Sequence, residues 1–165
     1  MKALKLFAAA LALVLFAGPA SPAPHDIYPD PGQAKADLAR ALKTAAASHK
    51  RILVDFGGNW CSDCRILDIY FHNAQNRDLL EKNFVLVRIN IGEMDQNLDL
   101  AERYGIPIRK GVPALAVLSE KGHLLYSQST GQFEAMDRIE PSQVTQFLLR
   151  WKPGSAPCSV VMKNC

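Results

Sequence analysis

The feature that most constrains this chain is Trp60-Cys61-Ser62-Asp63-Cys64. It lies between the apolar run Ile52-Leu53-Val54-Asp55-Phe56 and a helical pattern that opens at Ser62. Two thiols at i and i+3 fit the first turn of a helix, where Cα atoms approach within the roughly 4.4–6.8 Å that a disulfide needs. The helix N-terminus carries about half a positive charge, which favours a thiolate on the first cysteine. Cys61 is therefore the expected nucleophile and Cys64 the expected resolving thiol. Half a zinc site and an inert structural bridge are the competing readings of the pair. A zinc site needs a matching second pair. The other two cysteines, Cys158 and Cys165, lie near the C-terminal end with six residues between them, outside the usual tetrahedral spacings.

At 165 residues the chain fits one domain with a proper core. Its 48% hydrophobic content excludes a disordered protein. The net charge of +3 is mild and evenly spread, which gives no reason to expect nucleic acid as a partner. His25, His49, His72 and His123 are scattered without metal-ligand spacing, so neither a metal nor a cofactor is expected.

The N-terminus reads as a secretory signal peptide over residues 1–20. Lys2 and Lys5 form a positive start, Leu6 to Ala17 is apolar, and Gly18-Pro19-Ala20 places small residues for cleavage after Ala20. The apolar run is shorter than the ~18–20 residues of a membrane-spanning helix. The expected location is an oxidising compartment, periplasmic or secreted, where disulfides persist.

Residues 21–32 are rich in Pro and Asp and read as a linker. Gln33 to Ser48 is Ala-rich with helical apolar spacing at Leu38 and Leu42. Arg51 to Phe56 has the pattern of a strand covered on both faces. Helices follow over about 62–73 and 76–83, then a strand over 84–91 and a short helix over 97–104. A strand over 112–118, a turn at Glu120-Lys121-Gly122 and a returning strand over 123–129 form a hairpin. Pro141 opens a last helix that ends at Trp151. The order is α-β-α-β-α-β-β-α. The alternation predicts parallel strands, and the late hairpin an antiparallel edge.

With Trp-Cys-x-x-Cys after the first strong strand, that order resembles the thioredoxin-like family. Val54-Asp55-Phe56, Arg88-Ile89-Asn90, Tyr104-Gly105-Ile106 and Gly111-Val112-Pro113 each match a local pattern of that family. The resemblance covers about Gln33 to Trp151. It is strongest to periplasmic domains of the disulfide-reducing pathways. It implies an α/β thioredoxin fold over residues 33–152: a central mixed sheet of parallel strands plus an antiparallel C-terminal hairpin, flanked by helices. It also implies a cis Pro113 facing the dithiol. Ser62-Asp63 departs from the dipeptides of thioredoxin and of the strong oxidase. Residues 153–165 form a tail that matches no pattern.

Asp55 is an acid in an apolar strand. Burial raises a carboxyl pKa, and a group poised near neutrality can exchange a proton with Cys64. The resemblance assigns the same role. Trp60 is expected to shield Cys61 and offer partners a flat apolar contact. Pro113 lacks an N–H, and Val112 beside it is expected to offer its backbone to an extended substrate. Asp63 opposes a thiolate on Cys61 and so leans the pair towards reduction.

The expected activity is thiol–disulfide exchange, mainly reduction of disulfides in partner proteins, with a membrane thiol reductase as electron donor. The alternatives are a dithiol oxidase or isomerase, and a non-catalytic binding module. Four cysteines allow three pairings. The local one joins Cys61–Cys64 as the redox pair and Cys158–Cys165 as a structural clip on the tail.

Overall fold

The computed structural model describes residues 26–155. The expected signal peptide and the expected Cys158–Cys165 bridge lie outside them. The architecture is built on β1 (Arg51–Gly57), which has a neighbour on each side. β2 (Phe84–Asn90) pairs with it in parallel, and β3 (Ala114–Leu118) pairs antiparallel. β4 (Leu124–Ser127) completes a four-stranded mixed sheet in the order β2-β1-β3-β4.

Side chains alternate across a strand, so β1 feeds two cores. Ile52, Val54 and Phe56 pack with Leu38, Ala41 and Ala45 of α1 (Ala34–Ser48) and with Leu100 of α4 (Leu98–Arg103). Leu53 packs on the other face with α2 (Ser62–His72), α3 (Ala74–Asn83) and α5 (Pro141–Trp151). Each fully buried Leu, Ile or Phe contributes roughly 1.5–3 kcal/mol to this arrangement. The helix ends follow local chemistry. α1 stops where His49 turns left-handed at φ 55°. α5 starts at Pro141 behind a reciprocal Glu140–Gln143 capping box. Thr145 Oγ1 donates to Asn76 Oδ1 at 2.6 Å, tying α5 to α3 through a buried polar pair.

Two features differ from the sequence reading. The antiparallel component is not confined to an edge, because β3 lies inside the sheet against β1. β2 ends at Asn90 beside Gly57, and β3 begins at Ala114 opposite Phe56. Residues 91–113 therefore leave and re-enter at one end of the sheet. α4 has six residues, about 9 Å of helix, and does not carry the chain to the opposite end as a parallel crossover must.

The second difference is the linker. Its described part, residues 26–32, is bound to the domain, and Tyr28 is 2% exposed. Asn59 Oδ1 accepts from the backbone N–H groups of Ile27 and Tyr28 at 3.0 and 2.9 Å, and Asn59 Nδ2 donates to Tyr28 O at 2.9 Å. Asn90 and Asn97 donate to the carbonyls of Pro29 and Pro31. Three asparagine side chains thus supply partners for backbone that no strand pairs with.

Candidate active site

Cys61 is the N-cap of α2, with extended backbone, and its Sγ accepts the Cys64 N–H at 3.0 Å. That N–H is one of the donors a helix start leaves unpaired, and aimed at sulfur it favours a thiolate when the pair is reduced. Cys61 and Cys64 are joined by a disulfide with Cα atoms 5.3 Å apart. Both are buried, Cys61 at 5% and Cys64 at 1% exposure, so Cys61 is the nearer to solvent. Trp60 is not core: it is 48% exposed, and its indole N–H donates to Gly92 O at 2.6 Å.

Across from the bridge, the Val112 carbonyl oxygen lies 3.5 Å from Cys61 Sγ, and the Val112–Pro113 bond is cis. This loop is held from behind by Gln128, a polar side chain 1% exposed. Its Oε1 accepts the Leu115 N–H at 3.0 Å and its Nε2 donates to Pro113 O at 3.2 Å.

Behind the bridge is Asp55, 2% exposed on β1. Burial pushes its carboxyl up to about 7, against the opposing pull of Arg88 and the Tyr28 hydroxyl. Arg88 sits opposite Asp55 in the β1–β2 register and is ion-paired with Asp68 of α2. Burial also raises the Tyr28 hydroxyl well above its ordinary value, so it remains a neutral O–H. The Tyr28 hydroxyl comes close enough to the carboxyl to favour its charged form. Yet Tyr28 Oη and Asp55 Oδ1 both lack a partner in hydrogen-bond geometry among the described residues.

Gly57 makes this crowding feasible. A Cβ there falls 2.4 Å from Tyr28 Oη and 2.7 Å from Cys64 Sγ. Gly57→Ala must displace the tyrosine ring or the bridge, and overpacking of this kind costs about 1–3 kcal/mol. We expect a lowered urea midpoint and shifted Tyr28 ring resonances in the NMR spectrum. An unchanged midpoint would contradict the contact.

The structure brings Cys61, Cys64, Val112, Pro113 and Asp55 to one end of the sheet, with Trp60 on the rim. Sequence reasoning missed Tyr28, Gln128 and Asn59. A lone tyrosine in a Pro/Asp-rich stretch was the one available signal for Tyr28. Gln128 and Asn59 act through contacts distant in sequence and leave no local pattern. Among the described residues, no group of three or more His, Cys, Asp and Glu is placed to hold a metal ion. No helix among them is long and apolar enough to cross a membrane.

A cysteine bridge capping a helix, an acid behind it and a cis-proline loop in front define a protein of the thiol–disulfide oxidoreductase class. The sequence model of a family described as thioredoxin-like matches residues 33–119. A solved structure of a disulphide isomerase from Xylella fastidiosa Temecula1 is 34% identical, with a TM-score of 0.69 over 77% of this chain and 95% of that one. The chain belongs to the thioredoxin-like family. The thioredoxin of Buchnera aphidicola subsp. Baizongia pistaciae is 35% identical over 68 residues, a match that spans 41% of this chain and 55% of that relative. The C-terminal domain of Neisseria meningitidis DsbD in its reduced form is similar in fold, at 18% identity and a TM-score of 0.50 over 72% of this chain and 96% of that one.

Proposed function

We propose that this protein is an exported thiol–disulfide oxidoreductase that mainly reduces disulfides in partner proteins. The observation that carries the reading is Cys61 Sγ at the α2 N-terminus, bridged to Cys64 and faced by the Val112 carbonyl. Reduced Cys61 attacks a partner disulfide, one partner sulfur leaves as a thiolate, and a mixed disulfide forms. Cys64 then attacks Cys61 Sγ, the second partner sulfur leaves, and the Cys61–Cys64 bridge remains. Trp60 and the Val112–Pro113 loop flank the reacting sulfur and serve as the partner's contact surface. An extended partner strand takes its place beside Val112, with its disulfide over Cys61.

Asp63 supports the reductive direction. It stands in the first turn of α2, where its charge opposes a thiolate on Cys61 and so makes the disulfide less oxidising. A reductase in an oxidising compartment needs recharging, which implies a membrane thiol reductase as donor. The expected Cys158–Cys165 clip belongs to this proposal as a structural bridge outside the exchange. The isomerase reading is favoured by one observation, the 34% identity to a structure described as a disulphide isomerase.

Equilibration against dithiol buffers separates reductase from oxidase. A reduction potential near about −270 mV supports the reductase, and one near about −120 mV overturns it in favour of an oxidase. A non-catalytic binding module predicts a Cys61 no more reactive than a free thiol at mildly acidic pH.

A further inference from the structure

The oxidoreductase reading leaves Tyr28 without a role, although its hydroxyl is delivered to the centre of the site. The ring enters from outside the sheet, on the segment clamped by Asn59, the residue just before Trp60. Its Oη and Cys64 Sγ both lie against Gly57, at 2.4 and 2.7 Å from the point a Cβ would occupy. Gly57 and Asp55 are two apart on β1 and so present the same face. The hydroxyl is thus beside Cys64 Sγ at Gly57 and near enough to the Asp55 carboxyl to act on its ionisation. In the disulfide state Cys64 has no proton to give. Among the described residues, Tyr28 Oη and Asp55 Oδ1 are then two buried polar atoms without a partner in hydrogen-bond geometry. Buried atoms of this kind are rare and call for an explanation. Reduction of the bridge supplies one, because it creates a thiol beside the hydroxyl.

We propose that Tyr28 Oη relays the proton between the Cys64 thiol and the Asp55 carboxyl during resolution of the mixed disulfide. This rests on the oxidoreductase reading. The Cys64 S–H passes its proton to Tyr28 Oη as the hydroxyl passes its own to the ionised Asp55. The Cys64 thiolate attacks Cys61 Sγ, forming the Cys61–Cys64 bond. The bond from Cys61 to the partner sulfur breaks, and the partner leaves with the electron pair and is protonated by solvent. The Cys61–Cys64 pair loses two electrons and the partner gains them. Asp55 later returns its proton to solvent. Tyr28 on the N-terminal segment, Arg88 on β2 and Asp68 on α2 are the ionisable groups that act on Asp55, and Cys64 Sγ lies beside Gly57 on the same strand. Burial keeps the Tyr28 hydroxyl protonated throughout, so it acts as a bridge and not as a charge.

The test is Tyr28→Phe in the full chain, with Cys158→Ser and Cys165→Ser in every protein compared so that only Cys61 and Cys64 carry thiols; it keeps the ring and removes the oxygen. Reduced protein is mixed with 5,5′-dithiobis(2-nitrobenzoate). The first release of thionitrobenzoate reports attack by Cys61, and the second reports resolution by Cys64. We expect the loss to fall on the second release, slowed about tenfold near pH 7, while the first moves by less than about twofold. The second release should then follow thiol ionisation alone. The Asp55 carboxyl, tracked by NMR, should titrate higher because it has lost a donor to its charged form. In an Asp55→Asn background the same change should add nothing. An unaltered second release, or a slowing that multiplies with Asp55→Asn, overturns the relay. Reduced wild-type protein that releases no thionitrobenzoate overturns the oxidoreductase reading itself.

Discussion

Cys61→Ser abolishes reduction of a model disulfide such as insulin, while Cys64→Ser attacks once and stalls as a mixed disulfide. The asymmetry follows from position. Cys61 Sγ sits at the N-cap of α2, accepts a backbone N–H and lies 3.5 Å from the Val112 carbonyl oxygen. Cys64 is one turn deeper at 1% exposure, where no partner disulfide reaches it. A serine hydroxyl at 61 has no thiolate to offer, and loss of a nucleophile costs on the order of 10³-fold or more. A serine at 64 leaves the first attack intact but supplies no sulfur to displace the partner. Mass spectrometry of Cys64→Ser after exposure to substrate should find a single covalent adduct on Cys61. Full turnover by Cys64→Ser would remove Cys64 from the mechanism, and an adduct on Cys64 in the Cys61→Ser protein would reverse the two roles.

The helix and strand pattern was legible because most elements have an amphipathic or continuous apolar signature. Pro141–Trp151 shows Val144, Phe147 and Leu148 on one face, and the structure places the helix on those residues. The catalytic pair was legible for a different reason: Cys61 and Cys64 are neighbours in sequence as well as in space. What was not legible arises from long-range contacts. Tyr28 reaches the site because Asn59 holds its backbone across 31 residues, and nothing in the Pro/Asp-rich composition of its segment announces that. Gln128 is buried because it replaces strand hydrogen bonds next to Pro113, a need visible only once β3 and its neighbouring chain are paired. The antiparallel entry of β3 depends on where residues 91–113 return, which periodicity does not record.

Asp55→Asn yields a protein that is more stable at neutral pH and slower in exchange. The stability effect follows from the direction in which burial moves the carboxyl. In the folded state it is pushed up to about 7, from an ordinary value of 3.8. Below about pH 4 the group is protonated whether the chain is folded or not, and it contributes no pH dependence. Between about 4 and 7 the folded state binds a proton that the unfolded state has released, so stability falls as pH rises. Above about 7 the full cost of a buried charge is present and the profile is flat.

A tenfold difference in proton affinity between the folded and unfolded chain corresponds to about 1.4 kcal/mol. The rise from 3.8 to about 7 already includes the opposing pull of Arg88 and Tyr28, so the asparagine should gain on the order of 4 kcal/mol at pH 8. It should gain close to nothing from this source at pH 4. Kinetically, the amide accepts no proton from Cys64, and resolution should slow by about 10–100-fold near pH 7. The deficit should shrink at higher pH, where Cys64 ionises without help. Urea unfolding at pH 4, 6 and 8 tests the first part, and the rate of the second thionitrobenzoate release across the same range tests the second. A wild-type stability that is level from pH 4 to 8 would show that Asp55 carries an ordinary carboxyl pKa and has no proton to exchange with Cys64 at neutral pH.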